Sequence, residues 1–411
     1  MPLAIENNIF NSEQLNSGRP PKYILRDYQR EATDAALRYF ADDKQTNPVL
    51  IVMPTGSGKS LIIASIAESV DGDLLVFQPT KEILKQNYQK MLDYGIQGVR
   101  IYSASLNSKK IGKITLATIG SVVRNTEYFK HFKYVLVDEA HLVNAKGGMY
   151  KDFLSVVGEK VIGLTATPYR LNVDGYGGCM LKFLTRTRPR VFSRVIHVTQ
   201  TIDLSRQGYF AKTEYYPIDG FKRSKIKLNS TGANYDDRSE RAYYKAIHFE
   251  KDVLSVVERI LAAGKTRILV FTKFVKEAQN LAKKLGKSAA VVSGDMKAKE
   301  RDDIINRFRS GKIKVVANVG VLTVGFDYPE LEVVVIARPT RSLALYYQMM
   351  GRAVRPHPEK ESAWIVDMCG NHEIFGRMEN LRLVEYKDNI WHIVSNGKEL
   401  TNVYLDDIMK D

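Results

Sequence analysis

Ten short apolar runs constrain this chain more than anything else in it. Five lie in the first half: "PVLIVMP" from Pro48, "DLLVFQP" from Asp73, "KITLAT" from Lys113, "YVLVDEAH" from Tyr134 and "VIGLTAT" from Val161. Five lie in the second: "TRILVFT" from Thr266, "SAAVVSG" from Ser288, "IKVVANV" from Ile313, "LEVVVIARP" from Leu331 and "AWIVDM" from Ala363. A strand with one face in water alternates apolar and polar residues. A continuous β-branched run is buried on both faces, which requires helices on both sides of a parallel sheet. Helix-like segments separate these runs, so two α/β units of similar plan are expected. The 411 residues suffice for two such cores.

The spacing between the runs sets the domain plan. Residues 1–20 read as a polar lead-in, 21–204 as the first unit and 205–370 as the second, with a polar excursion at about 221–250. Residues 371–411 read as a β-rich extension. There "LRLVEYKDNIWHIVSNGKELTNVYL" alternates, and Asn396-Gly397 is a strong two-residue hairpin turn. A meander of two or three strands is expected, packed on the second unit.

"MPTGSGKS", Met53 to Ser60, follows one of these runs and precedes the helix-like "LIIASIAESV". That context suits a phosphate-binding loop, although Met53 stands where the general motif has glycine. Gly56 and Gly58 let the backbone N–H groups of Thr55-Gly56-Ser57-Gly58, led in by Pro54, turn towards phosphate oxygens. Lys59 would neutralise the β and γ phosphates, and Ser60 would offer its hydroxyl to Mg²⁺. "VLVDEAHL" supplies the partner at a strand's C-terminal end. Asp138 would hold the metal, and Glu139 would orient and deprotonate an attacking water. Upstream, Arg26 and Gln29 precede the first run, and a glutamine amide can pair with the N6/N7 edge of adenine.

The net charge of +15 favours a polyanionic partner. The surplus is uneven: the last 41 residues carry −3, leaving +18 on residues 1–370. Five basic residues (Lys182, Arg186, Arg188, Arg190 and Arg194) occur with no acid between Asp174 and Asp203. That stretch reads either as a solvated surface or as a nucleic-acid contact. Two distant cysteines, Cys179 and Cys369, exclude a disulfide scaffold and a four-cysteine zinc site. They fit a reducing cytoplasm. No apolar stretch is long enough to cross a membrane. His131 and His197 read as structural.

Together these segments resemble the superfamily 2 helicases, over Leu25 to Asp367. The family motifs occur in order: Tyr28-Gln29, "PTGSGKS", "QPTKEIL" from Gln78, "ATIGSV" from Ala117, "DEAH" from Asp138, "TAT" from Thr165, "VFT" from Val270, "VLTVGFD" from Val321 and "QMMGRAVR" from Gln348. "LTATPYRL", "GYFAK" and "RPTRSLALYYQMMGRAVRP" look closest to RadD-like bacterial DNA-repair helicases and related phage branch-migration helicases. The resemblance implies two RecA-like domains with ATP and Mg²⁺ in the cleft between them. Gln348, Arg352 and Arg355, spaced i, i+4, i+7, would share one helix face looking across that cleft. Arg355 would be the arginine finger, with Arg352 on the phosphate and Gln348 on the water.

Further roles follow from the same resemblance. His141, Thr165 and Thr167 would couple the two domains. Gly325 and Asp327 would touch the nucleotide. Pro79, Thr80, Lys81, Thr118, Gly120, Thr272 and Thr323 would contact a nucleic-acid backbone, with little sequence preference. The implied activity is an ATP-dependent DNA helicase or branch-migration translocase. An RNA helicase, an ATP-gated clamp that remodels without unwinding, and the motor of a restriction system remain open.

Overall fold

The computed structural model describes residues 23–173, 178–322 and 328–409. Thr323, Gly325, Asp327 and the expected lead-in at 1–20 lie outside them. All ten apolar runs are strands, divided between two sheets.

The first sheet has eight strands. In spatial order they are Arg194–Val198, Val49–Val52, Lys160–Thr165, Tyr134–Asp138, Leu74–Phe77, Ile114–Ala117, Val99–Ser103 and Ser108–Lys109. All pairs are parallel except the last. The four strands carrying "VLIV", "LLVF", "ITLA" and "KVIGLT" are buried along their whole length. The second sheet is wholly parallel, in the order Thr213–Pro217, Ala363–Asp367, Val333–Ala337, Ile268–Thr272, Val315–Val319 and Ala289–Ser293. Among the described residues no helix is long and apolar enough to cross a membrane.

Four strands of these sheets have no continuous apolar run, among them the two-residue edge strand Ser108–Lys109. Arg194–Val198 and Thr213–Pro217 are edge strands, and Val99–Ser103 lies second from an edge. Edge strands keep part of their surface in water and need no double-sided apolar run. The expected boundary at 204/205 falls inside the helix Thr201–Arg206. The chain changes sheets between Val198 and Thr213.

The C-terminal strands Arg382–Lys387, Ile390–Ser395 and Lys398–Glu399 form an antiparallel meander. Asn396 and Gly397 both have positive φ, 50° and 77°, the geometry of a tight primed turn. The meander is not confined to the second unit, contrary to expectation. Asn389 Oδ1 accepts from the Val195 N–H at 3.0 Å, and Gln200 bonds both backbone groups of Leu383. On the other side Tyr347 donates to the carbonyls of Phe375 and Arg377. The extension therefore bridges both sheets. The reason is the outer edge of Arg194–Val198, whose polar backbone needs a partner.

Candidate active site between the two sheets

The phosphate loop is built by Val49–Val52 and the helix Lys59–Ser69. Gly56 (φ 87°) and Gly58 (φ 84°) take left-handed conformations that suit glycine alone. Gly58 has a second reason to lack a side chain: a Cβ there would lie 2.6 Å from Gln29 Nε2. Gln29 is buried and donates to the Ser57 carbonyl at 3.0 Å, while its Oε1 accepts from the Arg26 N–H. Tyr28 donates to the same carbonyl at 2.9 Å. Arg26 stacks over Tyr209, 4.3 Å from the ring centroid. Gln29 is thus a brace for the loop, and one N–H and one lone pair remain for any adenine contact.

Asp138 ends the strand Tyr134–Asp138 and is buried. Glu139 follows with φ 52°, a left-handed conformation rare for a residue with a side chain. The turn lets its own N–H donate to Asp138 Oδ1 at 2.9 Å. Burial and the neighbouring Glu139 charge push the Asp138 carboxyl up, against Lys59. Burial alone would raise Glu139 as well. Lys59, a hydrogen bond and the charge of His141, and Arg352 outweigh it and hold Glu139 below the usual carboxylate range.

His141, Thr165 and Thr167 converge as expected of a relay. His141 Nδ1 lies 3.2 Å from Glu139 Oε2, 3.1 Å from Thr165 Oγ1 and 3.0 Å from Thr167 Oγ1. Nδ1 has one in-plane hydrogen-bonding site, so the carboxylate and the two hydroxyls compete for it, the carboxylate only when Nδ1 is protonated.

The arginines reach this site from the second unit, but not along one helix. The helix Leu343–Met350 ends before them, and Gly351 begins a turn. Gln348 is helical, while Arg352 and Arg355 lie on the loop that follows. Glycine is required at 351 because a Cβ there would sit 2.8 Å from Thr55 of the phosphate loop. The Thr55 side chain packs against the Gly351 backbone there. Val354 and Arg355 lie against Gly56, 3.6 and 3.8 Å from where its Cβ would be. The Ala211 N–H donates to the Val354 carbonyl at 2.7 Å. Arg352 is buried and faces the charge of Glu139; burial lowers its pKa to about 10 against that attraction. Arg355 is likewise lowered to about 10 by burial.

The expected nucleic-acid contacts divide. Thr80 is exposed and caps the helix Lys81–Asp93, with Pro79 and Lys81 beside it. Thr118 bonds the Ser121 hydroxyl at 2.8 Å, and Gly120 is exposed. Thr272 does not fit its expected role. It is 3% exposed, at a small pocket lined by Phe249 and Leu281. Helices from the polar excursion onwards cover it, and Lys273 beside it is tied to Glu240 and Asp237. Its hydroxyl cannot meet a phosphate there.

Two contributions had no motif to announce them. Lys360 is buried and donates to the carbonyls of Pro329, Leu331 and Ala353 at 2.7, 3.1 and 2.8 Å. It ties the arginine loop to the segment that follows "VLTVGFD". Phe210 packs 3.6 Å from the Cβ position of Gly56. No periodicity or local spacing marks either residue.

A Type III restriction enzyme res subunit family model matches residues 22–170, and a helicase conserved C-terminal domain model matches residues 252–357. The chain is 26% identical to a 51.5 kDa protein of a Lactococcus phage, over 80% of this chain and 67% of that protein. It is 22% identical to the putative ATP-dependent helicase IRC3 of Saccharomyces cerevisiae (84% and 52% covered). It is 23% identical to the ATP-dependent DNA helicase uvsW of phage T4 (81% and 67% covered). The chain thus spans half to two thirds of the length of these relatives. A fragment of a putative type I restriction HsdR subunit from Vibrio vulnificus shares the fold, with TM-score 0.60 at 18% identity, over 87% of this chain and 67% of that one.

Proposed function

This chain belongs to the superfamily 2 helicases, and from that premise we propose that it is an ATP-dependent DNA helicase or translocase whose catalytic centre is shared between its two units. One observation carries the proposal: the loop of Arg352 and Arg355 lies on the phosphate loop and faces Glu139. Neither unit alone holds both the phosphate loop and the arginines.

The family's use of ATP fixes the chemistry to be performed. Backbone N–H groups of Thr55 to Gly58 cradle phosphate oxygens, and Lys59 adds a positive charge. Ser60 and Asp138 offer hard oxygen ligands that fit Mg²⁺, which would neutralise charge on the β and γ phosphates. Glu139, held ionised by its cationic neighbours, accepts the proton of the attacking water. Arg355, with Arg352, stabilises charge on the transferred phosphoryl group. His141, Thr165 and Thr167 pass the difference between ATP and ADP to the neighbouring segments. Closure of the two units completes the site, so turnover alternates closed and open states.

DNA is the favoured track, supported by the chain's basic surplus and by DNA helicases among its relatives. The RadD-like motifs support a role in repair or recombination. Two buried, unlinked cysteines support a reducing cytoplasm as the place of action.

The test is ATP hydrolysis measured with and without DNA and RNA, in the native chain and in Glu139→Gln. DNA should stimulate the native chain more than RNA does. Glu139→Gln should keep nucleotide and DNA binding while turnover falls by about 10²–10⁴. Stimulation by RNA alone would replace DNA as the track. Normal turnover in Glu139→Gln would remove its role as base.

A further inference from the structure

A groove of about 230 Å³ opens beside the active site, between three segments of the first unit. One is the loop after "DEAH", with Asn144 and Lys146. The second is the start of the hairpin Tyr169–Val173, with Arg170 and Asn172. The third is the loop carrying Arg188. Phe192 contributes to an apolar floor. Among the described residues no carboxylate lines the groove, and none forms an ion pair with Lys146, Arg170 or Arg188. Three cations facing one groove without a counter-charge repel one another. Such an arrangement is stabilised when an anion binds.

Arg170 is more than a surface charge. It is half-buried, and burial lowers its pKa. Its Nη1 donates to the Val143 carbonyl at 2.5 Å, which holds the guanidinium in place. Val143 lies four residues after Glu139, and Arg170 three after Thr167. The groove is therefore bounded by the two segments whose side chains meet at His141. The run of five basic residues noted in the sequence supplies Arg188 to its rim, and both Lys146 and Arg188 are exposed.

We propose that this groove is a second nucleic-acid contact, holding backbone phosphate between Lys146, Arg170 and Arg188. The inference rests on the nucleic-acid motor reading above and adds a site that the helicase motifs do not include. An occupied groove presses on the loop after "DEAH", so a bound strand is sensed next to the catalytic base.

The full chain is titrated against a fluorescein-labelled single strand and duplex of about 20 nucleotides, by anisotropy at several salt concentrations. Lys146→Gln/Arg188→Gln removes two rim charges and leaves Arg170 in place. Exposed substitutions of this kind change stability by about 0.5 kcal/mol or less. Loss of two phosphate contacts lowers the salt slope by about two and weakens binding roughly ten- to fifty-fold near 0.1 M salt. Lys312→Gln/Lys398→Gln removes the same charge from exposed positions in the second half of the chain, and should leave the slope nearly unchanged. Equal losses in the two double variants, or no loss in the first, overturn the groove as a site. A native chain that binds neither probe overturns the groove together with the motor reading. Native binding with an unaffected groove variant removes the groove alone.

Discussion

At the scale of single residues, the phosphate loop is held by what its neighbours lack. Gly58→Ala places a methyl group within 2.6 Å of Gln29 Nε2 at a φ of 84°. Left-handed backbone alone costs roughly 1–2 kcal/mol for a residue with a Cβ. The displaced Gln29 would release the Ser57 carbonyl. Weakened ATP binding is expected from Gly58→Ala by isothermal titration, with a melting temperature lower by a few degrees. Lys360 gives a prediction of another kind. Burial, then the Arg355 charge, lower its pKa to about 8, below the ordinary lysine value near 10.4. Between these values the unfolded chain holds more protons than the folded one, so this lysine's contribution to stability rises with pH from about 8 upward. As pH falls through 8, that contribution is lost. Lys360→Met should flatten this segment of a stability–pH profile from urea melts, and it should destabilise at pH 7 by about 1–3 kcal/mol by orphaning three carbonyls.

At the scale of elements, the sequence is most legible where a strand is buried on both faces. The ten apolar runs became ten parallel strands because no other arrangement covers them. The edge strands Arg194–Val198 and Thr213–Pro217 were invisible, since their pattern is set by partners distant in the chain. The end of the helix Leu343–Met350 was misread for the same reason. Spacing alone puts Gln348, Arg352 and Arg355 on one face, whereas the helix ends at Met350 and Gly351, against Thr55, opens the loop that carries both arginines. Thr272 shows the converse: a family position exposed in principle is covered here by this chain's own helices. The C-terminal extension carries an element-scale prediction. Asn402 accepts from the Phe183 N–H, donates to the Trp391 carbonyl and has φ 63°. It fixes the meander to the hairpin of the first unit. Asn402→Ala should lower stability by about 1–3 kcal/mol, read as an earlier thermal transition.

At the scale of the whole molecule, two sheets meet around one candidate site, and one apolar core runs through both units. Arg301 reaches Glu82 at 3.0 Å, and Gly351 sits on Thr55. The extension ties both sheets from one side. Under the proposed function, catalysis is conditional on closure of the two units. The most direct test is Arg355→Ala, with ATP affinity and single-turnover hydrolysis measured on the same preparation in the presence of DNA. A finger supplied across the cleft predicts affinity within a few-fold of native and hydrolysis slower by roughly 10³–10⁵. Hydrolysis at the native rate would contradict a shared centre.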